Sequence, residues 1–309
     1  MLSVVIPAYN EEPMILKAYK TISNILQKNN ILYELIFVND GSTDKTWDEI
    51  KKIANENVIG LQFSRNFGKE AAILAGLSNA TGECVAVIDC DLQHPPEILV
   101  DMYHLWEEGY EVIEGVKKSR GKENVLHTAS ANIFYKLMSK AVKIDMSRAS
   151  DFRLLDRKVV DVLISMPEQH AFFRALSSWV GFKSTTIEFD VQERTEGESK
   201  WSVMSLIKYA ISNIIGFSTM PLQLITIAGC ITFIIGIIFG IQSLIRYFLG
   251  CSLEGFTTVI LLLLIIGSLI MISLGIIGIY LSKIYEEVKM RPRYIISEYS
   301  VAPEPPNPL

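Results

Sequence analysis

The chain has 309 residues, enough for more than one structural unit, and 29 basic against 34 acidic side chains leave a formal charge of −5. That balance provides no global basic field and excludes a general nucleic-acid binder. Hydrophobic residues make up 50% and charged residues 20%, too apolar for disorder and high for a wholly soluble enzyme. Most charges precede Pro221, and the long apolar runs follow it. Cys84, Cys90, Cys230 and Cys251 form no C-x-x-C pair, which argues against a disulfide framework or a structural zinc site.

The first residues lack the basic flank of a signal peptide, and their apolar run ends at Pro7. They predict a buried strand over Met1–Ile6, followed by an amphipathic helix over Pro13–Asn29. Leu32–Val38 reads as a second strand, stopped by the turn formers Asn39-Asp-Gly-Ser-Thr-Asp44, which also supply helix caps. A helix over Lys45–Asn55, a strand over Val58–Ser64 and a helix over Glu70–Ala80 follow. The next strand, Cys84–Ile88, ends in Asp89-Cys90-Asp91. Strand–helix alternation of this spacing predicts a mostly parallel, Rossmann-like α/β sheet with helices on both faces. Ligands of such sheets bind at the carboxyl ends of the strands, where every polar cluster named so far falls. A further strand is read at Tyr110–Val116, and Leu126–Val191 mixes helix and strand signals.

Residues 199–220 carry Trp201, Met204, Tyr209 and Phe217 among few charges, and predict an amphipathic helix in the membrane interface. Leu222–Ile241 is an apolar run of about 20 residues, and Phe256–Leu281 one of about 26 with no charge, each long enough to cross a bilayer. The expected organisation is therefore an α/β domain over 1–198, the interfacial helix over 199–220, two transmembrane helices over 221–282 and a tail over 283–309. Lys200, Lys208, Lys283, Lys289, Arg291 and Arg293 flank the side holding both termini, which places the α/β domain in the cytoplasm.

Asp89 and Asp91, at i and i+2 after a strand, can share a divalent cation and a diphosphate, and hard oxygens suit Mg²⁺ or Mn²⁺. Cys90 between them reads as a packing residue. His94, before Pro95-Pro96, reads as a loop histidine more readily than as a ligand.

Four ordered motifs then stand out: Pro7-Ala-Tyr-Asn-Glu11, Val38-Asn-Asp-Gly-Ser-Thr-Asp44, Ser64-Arg-Asn-Phe-Gly-Lys-Glu70 and Asp89-Cys-Asp-Leu-Gln-His-Pro-Pro-Glu97. Together they resemble family 2 glycosyltransferases of the GT-A fold. The polyprenyl-phosphate group, dolichol-phosphate mannose synthases and bactoprenol glucosyltransferases, is the nearer likeness. Asp151-Phe-Arg-Leu-Leu-Asp-Arg157, Gln192-Glu-Arg-Thr-Glu-Gly-Glu-Ser-Lys-Trp201 and the two apolar segments extend it. The resemblance implies that Pro7, Tyr9, Asn10, Glu11 and Asp40 surround the donor nucleotide, with Asp40 accepting a hydrogen bond from the base. It makes Lys69, and after it Arg65, a cation beside the donor diphosphate. Asp89 then faces the donor sugar or ribose, and Asp91, with Asp89 and Gln93, holds the metal. Asp151 is the implied catalytic partner at the acceptor: a base, or an electrostatic stabiliser, since a phosphate acceptor is already ionised at neutral pH. Asp156, beside Arg157, is expected in a structural ion pair. Lys117, Lys118, Arg120, Arg194 and Lys200 are the expected cations for the lipid phosphate. The group frequently has arginine at the position of Lys117, and lysine keeps the charge without the bidentate fork.

The implied reaction is inverting transfer of a hexosyl unit, from UDP-glucose first, to undecaprenyl phosphate at the cytoplasmic face of a bacterial inner membrane. A homo-oligomer and a separate flippase are the implied partners. Two alternatives stay open from the residues alone: a polysaccharide synthase, although Q-x-x-R-W is missing, and a catalytically silent membrane scaffold.

Overall fold

A computed structural model describes residues 1–118, 150–168, 172–190, 220–249 and 256–300. The chain divides into two units, one built from Met1–Ser202 with Arg291–Leu309, the other from Val203–Met290.

The first unit opens with β1 (Leu2–Ala8), α1 (Glu12–Lys28), β2 (Tyr33–Asn39), α2 (Thr46–Ile53), β3 (Val58–Phe63), α3 (Lys69–Asn79) and β4 (Cys84–Val87). These elements fall within one or two residues of the sequence expectation for most boundaries. The reason is that each strand is a continuous apolar run closed by turn formers, the pattern of strands buried on both faces. Leu2, Val4 and Ile6 of β1 enter one core with Met14, Ile15, Ala18 and Ile22 of α1. Val5 points the other way, toward α3, where Gly76 comes so close that an added Cβ would lie 2.2 Å from Val5 Cγ1. Period-two alternation along β1 therefore separates the two helical layers.

α4 (Ile98–Glu107) and β5 (Val112–Lys117) lead to β6 (Arg153–Asp156), α5 (Arg157–Ser165), α6 (Phe173–Trp179) and β7 (Ser184–Phe189). Among the described residues the sheet has eight strands in the order β7-β5-β6-β4-β1-β2-β3-β8. β1 pairs parallel with both β2 and β4, and β2 parallel with β3. β6 runs antiparallel between β4 and β5. Arg153, fully buried on β6, is satisfied by Glu114 Oε1 at 2.7 Å and Ser178 Oγ at 3.0 Å. Asp156 is not the ion-pair partner of Arg157 that the sequence suggested. It caps α5 by accepting the Lys158 N–H at 3.0 Å and takes the Trp106 indole N–H at 2.8 Å. Arg157 instead donates to the carbonyls of Gly82 and Ala80.

The segment expected as a plain tail returns to this unit. β8 (Ile296–Tyr299) pairs antiparallel with β3 and closes one edge of the sheet.

The second unit consists of α7 (Met220–Phe248) and α8 (Phe256–Val288) among its described residues. Both are long and apolar enough to cross a membrane, over Leu222–Gln242 and Ile265–Val288. Large apolar side chains on their described residues are exposed: Phe233 is 70% and Leu263 64% exposed. The predicted interfacial helix lies outside the described residues, apart from Met220, which opens α7.

Candidate active site

β1 is the switch point of the sheet. The chain leaves it through α1 toward β2 and β3, then returns through α3 to place β4 on its other flank. Loops diverge from that point, and the crevice forms at the carboxyl ends of β1, β2 and β4.

The β1 loop is held open by Asn10, whose φ of +55° is a conformation asparagine tolerates better than most residues. Its backbone N–H donates to Ser42 Oγ at 2.8 Å, and its Oδ1 accepts the Thr43 N–H at 2.8 Å. The Glu11 N–H donates to Thr46 Oγ1 at 2.9 Å. These bonds knit the Pro7–Glu11 motif to the Asp40–Asp44 motif. Tyr9 is left 41% exposed at the crevice.

Asp40 is only 3% exposed and faces inward. Its carboxylate accepts the Phe67 N–H at 2.6 Å and the Gly68 N–H at 3.0 Å, so it shapes the Ser64–Gly68 loop. Burial raises its pKa against those two backbone bonds. Gly41, at φ +63°, is required beside it: a Cβ there would meet the Arg65 carbonyl carbon at 2.3 Å.

Lys69, the first residue of α3, bridges two carboxylates, with Nζ 2.6 Å from Asp89 Oδ1 and 2.7 Å from Asp151 Oδ2. Arg174 of α6 grips Asp151 from the other side, through Nε at 2.6 Å and Nη2 at 2.8 Å. Glu70, next to Lys69, accepts the N–H of Phe173, next to Arg174, at 2.9 Å. Lys69, Asp151, Arg174 and Glu70 thus close a ring that ties α3, α6 and the Asp151 loop together.

Electrostatics follow from this ring. Burial opposes the charge on Asp151, but Lys69 and Arg174 outweigh it and hold the carboxyl well below the usual range. Asp151 is therefore a fixed anion at neutral pH and a poor proton acceptor. Asp89 is also held low, with Lys69 and then His94 overcoming burial. Lys69 is raised, because its two carboxylate partners outweigh the burial that would discharge it. Glu70 goes the other way: burial, and then the neighbouring Asp151 charge, push it up to about 7.

Asp89 and Asp91 lie on one turn with Leu92 at φ +55°, strained for a leucine by about 1 kcal/mol. Strain of this kind gathers at functional loops. Asp91 Oδ1 accepts the Gln93 N–H at 3.1 Å. No three His, Cys, Asp or Glu side chains converge on a closed metal cage among the described residues. Two carboxylates on an open turn fit Mg²⁺ or Mn²⁺, whose shells keep waters and admit phosphate oxygens. His94 is buried, stacked on Phe152 at 5.1 Å and edge-on to Phe189 at 5.3 Å. Burial, followed by nearby carboxylates, raises the Cys90 thiol well above its ordinary value, which leaves it inert.

The sequence-predicted residues therefore divide. Lys69, Asp89 and Asp151 meet directly; Pro7, Tyr9, Asn10, Glu11, Asp40, Asp91 and Gln93 sit on the loops of the same sheet end. Lys69 is held by carboxylates in this structure, and Asp40 by backbone. Lys117 ends β5 and Lys118 follows it, exposed, while Arg120, Arg194 and Lys200 lie outside the described residues. Arg174 and Glu70 were missed. The one available signal was a lone charge in Ala171-Phe-Phe-Arg-Ala-Leu176, since an arginine in an apolar helix needs a partner.

A Rossmann-like, mostly parallel sheet with an acidic turn at the switch point is the GT-A architecture. Residues 3–164 match the glycosyl transferase family 2 profile. An uncharacterized glycosyltransferase of Synechocystis is 37% identical over 96% of this chain and 95% of its own. The prophage bactoprenol glucosyl transferase homolog of Escherichia coli is 35% identical over 96% of this chain and 98% of its own. The bactoprenol glucosyl transferase of Shigella phage SfII is 35% identical over 96% and 97%. Among solved structures, glucosyl-3-phosphoglycerate synthase of Mycobacterium tuberculosis, in complex with Mn²⁺, UDP and glucosyl-3-phosphoglycerate, superposes with a TM-score of 0.53 at 18% identity. It covers 70% of this chain and 77% of that one. This chain belongs to glycosyl transferase family 2, and it is a glycosyltransferase.

Proposed function

We propose that this enzyme moves a hexosyl unit from a nucleotide sugar, UDP-glucose first, to undecaprenyl phosphate, with inversion, at the cytoplasmic face of a bacterial inner membrane. The observation that carries this reading is identity of 35% with bactoprenol glucosyl transferases over 96% of the chain, a span that includes α7 and α8. Both helices then hold the enzyme in the bilayer where its lipid acceptor resides.

In this reading the Pro7–Glu11 and Asp40–Asp44 loops receive the nucleotide, and Tyr9 supplies an exposed ring for the base or ribose. Asp91 and Asp89 hold a divalent cation, with Gln93 beside them. When bound, the cation offsets charge on the departing nucleoside diphosphate. The acceptor phosphate oxygen donates a lone pair to the anomeric carbon, opposite the bond to the diphosphate. That bond breaks, and its electron pair leaves with the diphosphate oxygen. A phosphate acceptor needs no base, which suits an Asp151 held ionised. Its negative charge stabilises the positive charge that develops on the sugar ring. Lys69 joins the donor carboxylate Asp89 to Asp151 and fixes their separation. Lys117, Lys118, Arg120, Arg194 and Lys200 are the candidate cations for the lipid headgroup. The product then requires a separate flippase, and self-association of the enzyme belongs to the same reading.

A donor panel tests it. Purified full-length protein in detergent is offered radiolabelled UDP-glucose, UDP-galactose, UDP-N-acetylglucosamine or GDP-mannose, with undecaprenyl phosphate and Mn²⁺. Butanol-extractable label from UDP-glucose, abolished by EDTA, is expected. Label from another donor alone would replace the sugar, and no lipid label from any donor would remove the acceptor.

A further inference from the structure

The segment that follows α8 does more than close a sheet edge. Its backbone is stitched to β3 along its length: the Ser300 N–H donates to the Gly60 carbonyl at 2.9 Å, and the Ser64 N–H donates to the Ile295 carbonyl at 3.0 Å. Side chains add to this. The Gly60 N–H donates to Ser300 Oγ at 2.7 Å, and the Trp47 indole N–H to Glu298 Oε2 at 3.0 Å. Arg293 anchors the other end by donating to the Met166 carbonyl after α5.

The last of these backbone bonds lands on Ser64, the residue that opens the Ser64–Gly68 loop. From there a stack of rings continues inward. Tyr294 lies flat on Phe63, with centroids 5.3 Å apart and planes at 11°. Phe63 in turn meets Phe67 edge-on at 5.7 Å. The Arg65 guanidinium covers the outer face of Phe67 at 4.1 Å. Phe67 is the residue whose N–H is bound by Asp40. The ring stack therefore ends at the carboxylate of Asp40, the first residue of the proposed nucleotide loop Asp40–Asp44.

We propose that residues 293–300 form a positioning strap for the donor-nucleotide loop, and that Tyr294 passes its hold through Phe63 and Phe67 to Asp40. The inference rests on the reading of the Asp40 loop as the nucleotide site. Tyr294 touches no substrate in this scheme; it acts on the donor through the loop. Because the strap begins within a few residues of the end of α8, the last apolar helix is linked covalently to the part of the enzyme that binds the donor. Loss of the stack loosens the loop and weakens nucleotide binding, while the acceptor side and the Lys69–Asp151–Arg174 ring are left as they are.

The test uses full-length protein and UDP with Mn²⁺ as the probe, by calorimetry, together with steady-state kinetics. Tyr294→Leu keeps apolar volume and removes the flat stack; Tyr294→Phe keeps the stack. The expected result for Tyr294→Leu is UDP affinity and donor KM weakened about 3- to 10-fold, the range of an aromatic pair. Turnover at saturating donor and KM for undecaprenyl phosphate stay within about twofold of wild type, and Tyr294→Phe matches wild type. Gly76→Ala, which crowds Val5, away from the strap, serves as the stability control and is expected to bind UDP as wild type does. UDP binding unchanged in Tyr294→Leu, with Asp40→Asn weakened, overturns the strap alone. An equal loss in Gly76→Ala also overturns it, since general loosening would then explain the effect. UDP binding unchanged in Asp40→Asn as well overturns the donor-loop reading beneath it.

Discussion

Replacing Arg174 by glutamine removes a partner from Asp151, the most buried member of the ring. Asp151 is 4% exposed and takes two charge-assisted bonds from Arg174, at 2.6 and 2.8 Å, beside one ion pair from Lys69 at 2.7 Å. Removing one partner of a buried ion pair costs about 3–5 kcal/mol. Lys69 remains and the glutamine amide can return one neutral bond, so a loss of about 3 kcal/mol is expected. For a unit of this size that lowers the thermal midpoint by about 6–12 °C. The pH dependence has a definite sign. A depressed carboxylate contributes stability above its unfolded pKa and loses it as pH falls through its folded pKa. Wild type therefore keeps the Asp151 contribution until well below the ordinary carboxylate range. In Arg174→Gln the folded value rises toward ordinary, so the contribution shrinks and its acid limb begins at higher pH. Turnover should fall about 10- to 100-fold through the displaced Asp151 carboxylate. Arg174→Lys, with charge but no fork, should fall between. Differential scanning fluorimetry from about pH 4 to about pH 8, with turnover measured on the same preparations, reads all of these. A glutamine variant with wild-type melting, pH response and turnover would refute the ring.

Glu70 has the opposite signature. Its folded pKa is raised to about 7, so stability present below its unfolded value is lost as pH climbs through 7. Glu70→Gln keeps an acceptor for the Phe173 N–H and cannot ionise, so it should gain about 1–2 kcal/mol over wild type above that pH in urea titrations. Asp91→Asn keeps the oxygen that accepts the Gln93 N–H, so the turn survives. Turnover should drop about 100-fold with a weaker Mn²⁺ dependence, read by metal titration of the rate. Gly76→Ala drives a Cβ to 2.2 Å from Val5 Cγ1 and should cost about 1–3 kcal/mol in urea unfolding, with no change in donor KM.

The first half of the sheet was legible because its strands are unbroken apolar runs, and the alternating layers need only local pattern. Its topology around β1 then put the Asp40 loop and the Asp89 turn at one end without further information. β6 was not legible: Arg153-Leu-Leu-Asp156 shows two charges in four residues, and only the buried partners of Arg153 explain a central strand there. β8 was hidden for another reason. Ile296-Ser-Glu-Tyr299 is a short edge strand, and its pairing with β3 spans more than two hundred residues, including both apolar helices. At the site, motif context singled out Asp89, Asp91 and Asp151, and the structure joins Asp89 to Asp151 through Lys69. Lys69 was expected to face phosphate, yet it pairs with carboxylates, because one-dimensional motifs do not report which charges meet. Arg174 and Glu70 belong to no motif, and their roles exist only through contacts with Asp151 and the Phe173 N–H.

The decisive measurement is the chemical form of the transferred sugar. Full-length protein in lipid nanodiscs containing undecaprenyl phosphate would be given ¹³C-glucose-labelled UDP-glucose and Mn²⁺, and the lipid fraction examined by ¹H and ³¹P NMR. The expected product is a glucosyl phosphodiester of the lipid with the β configuration, inverted from the α-linked donor. An α-linked product would contradict single in-line displacement, and free glucose with no lipid phosphodiester would contradict transfer to the polyprenyl phosphate.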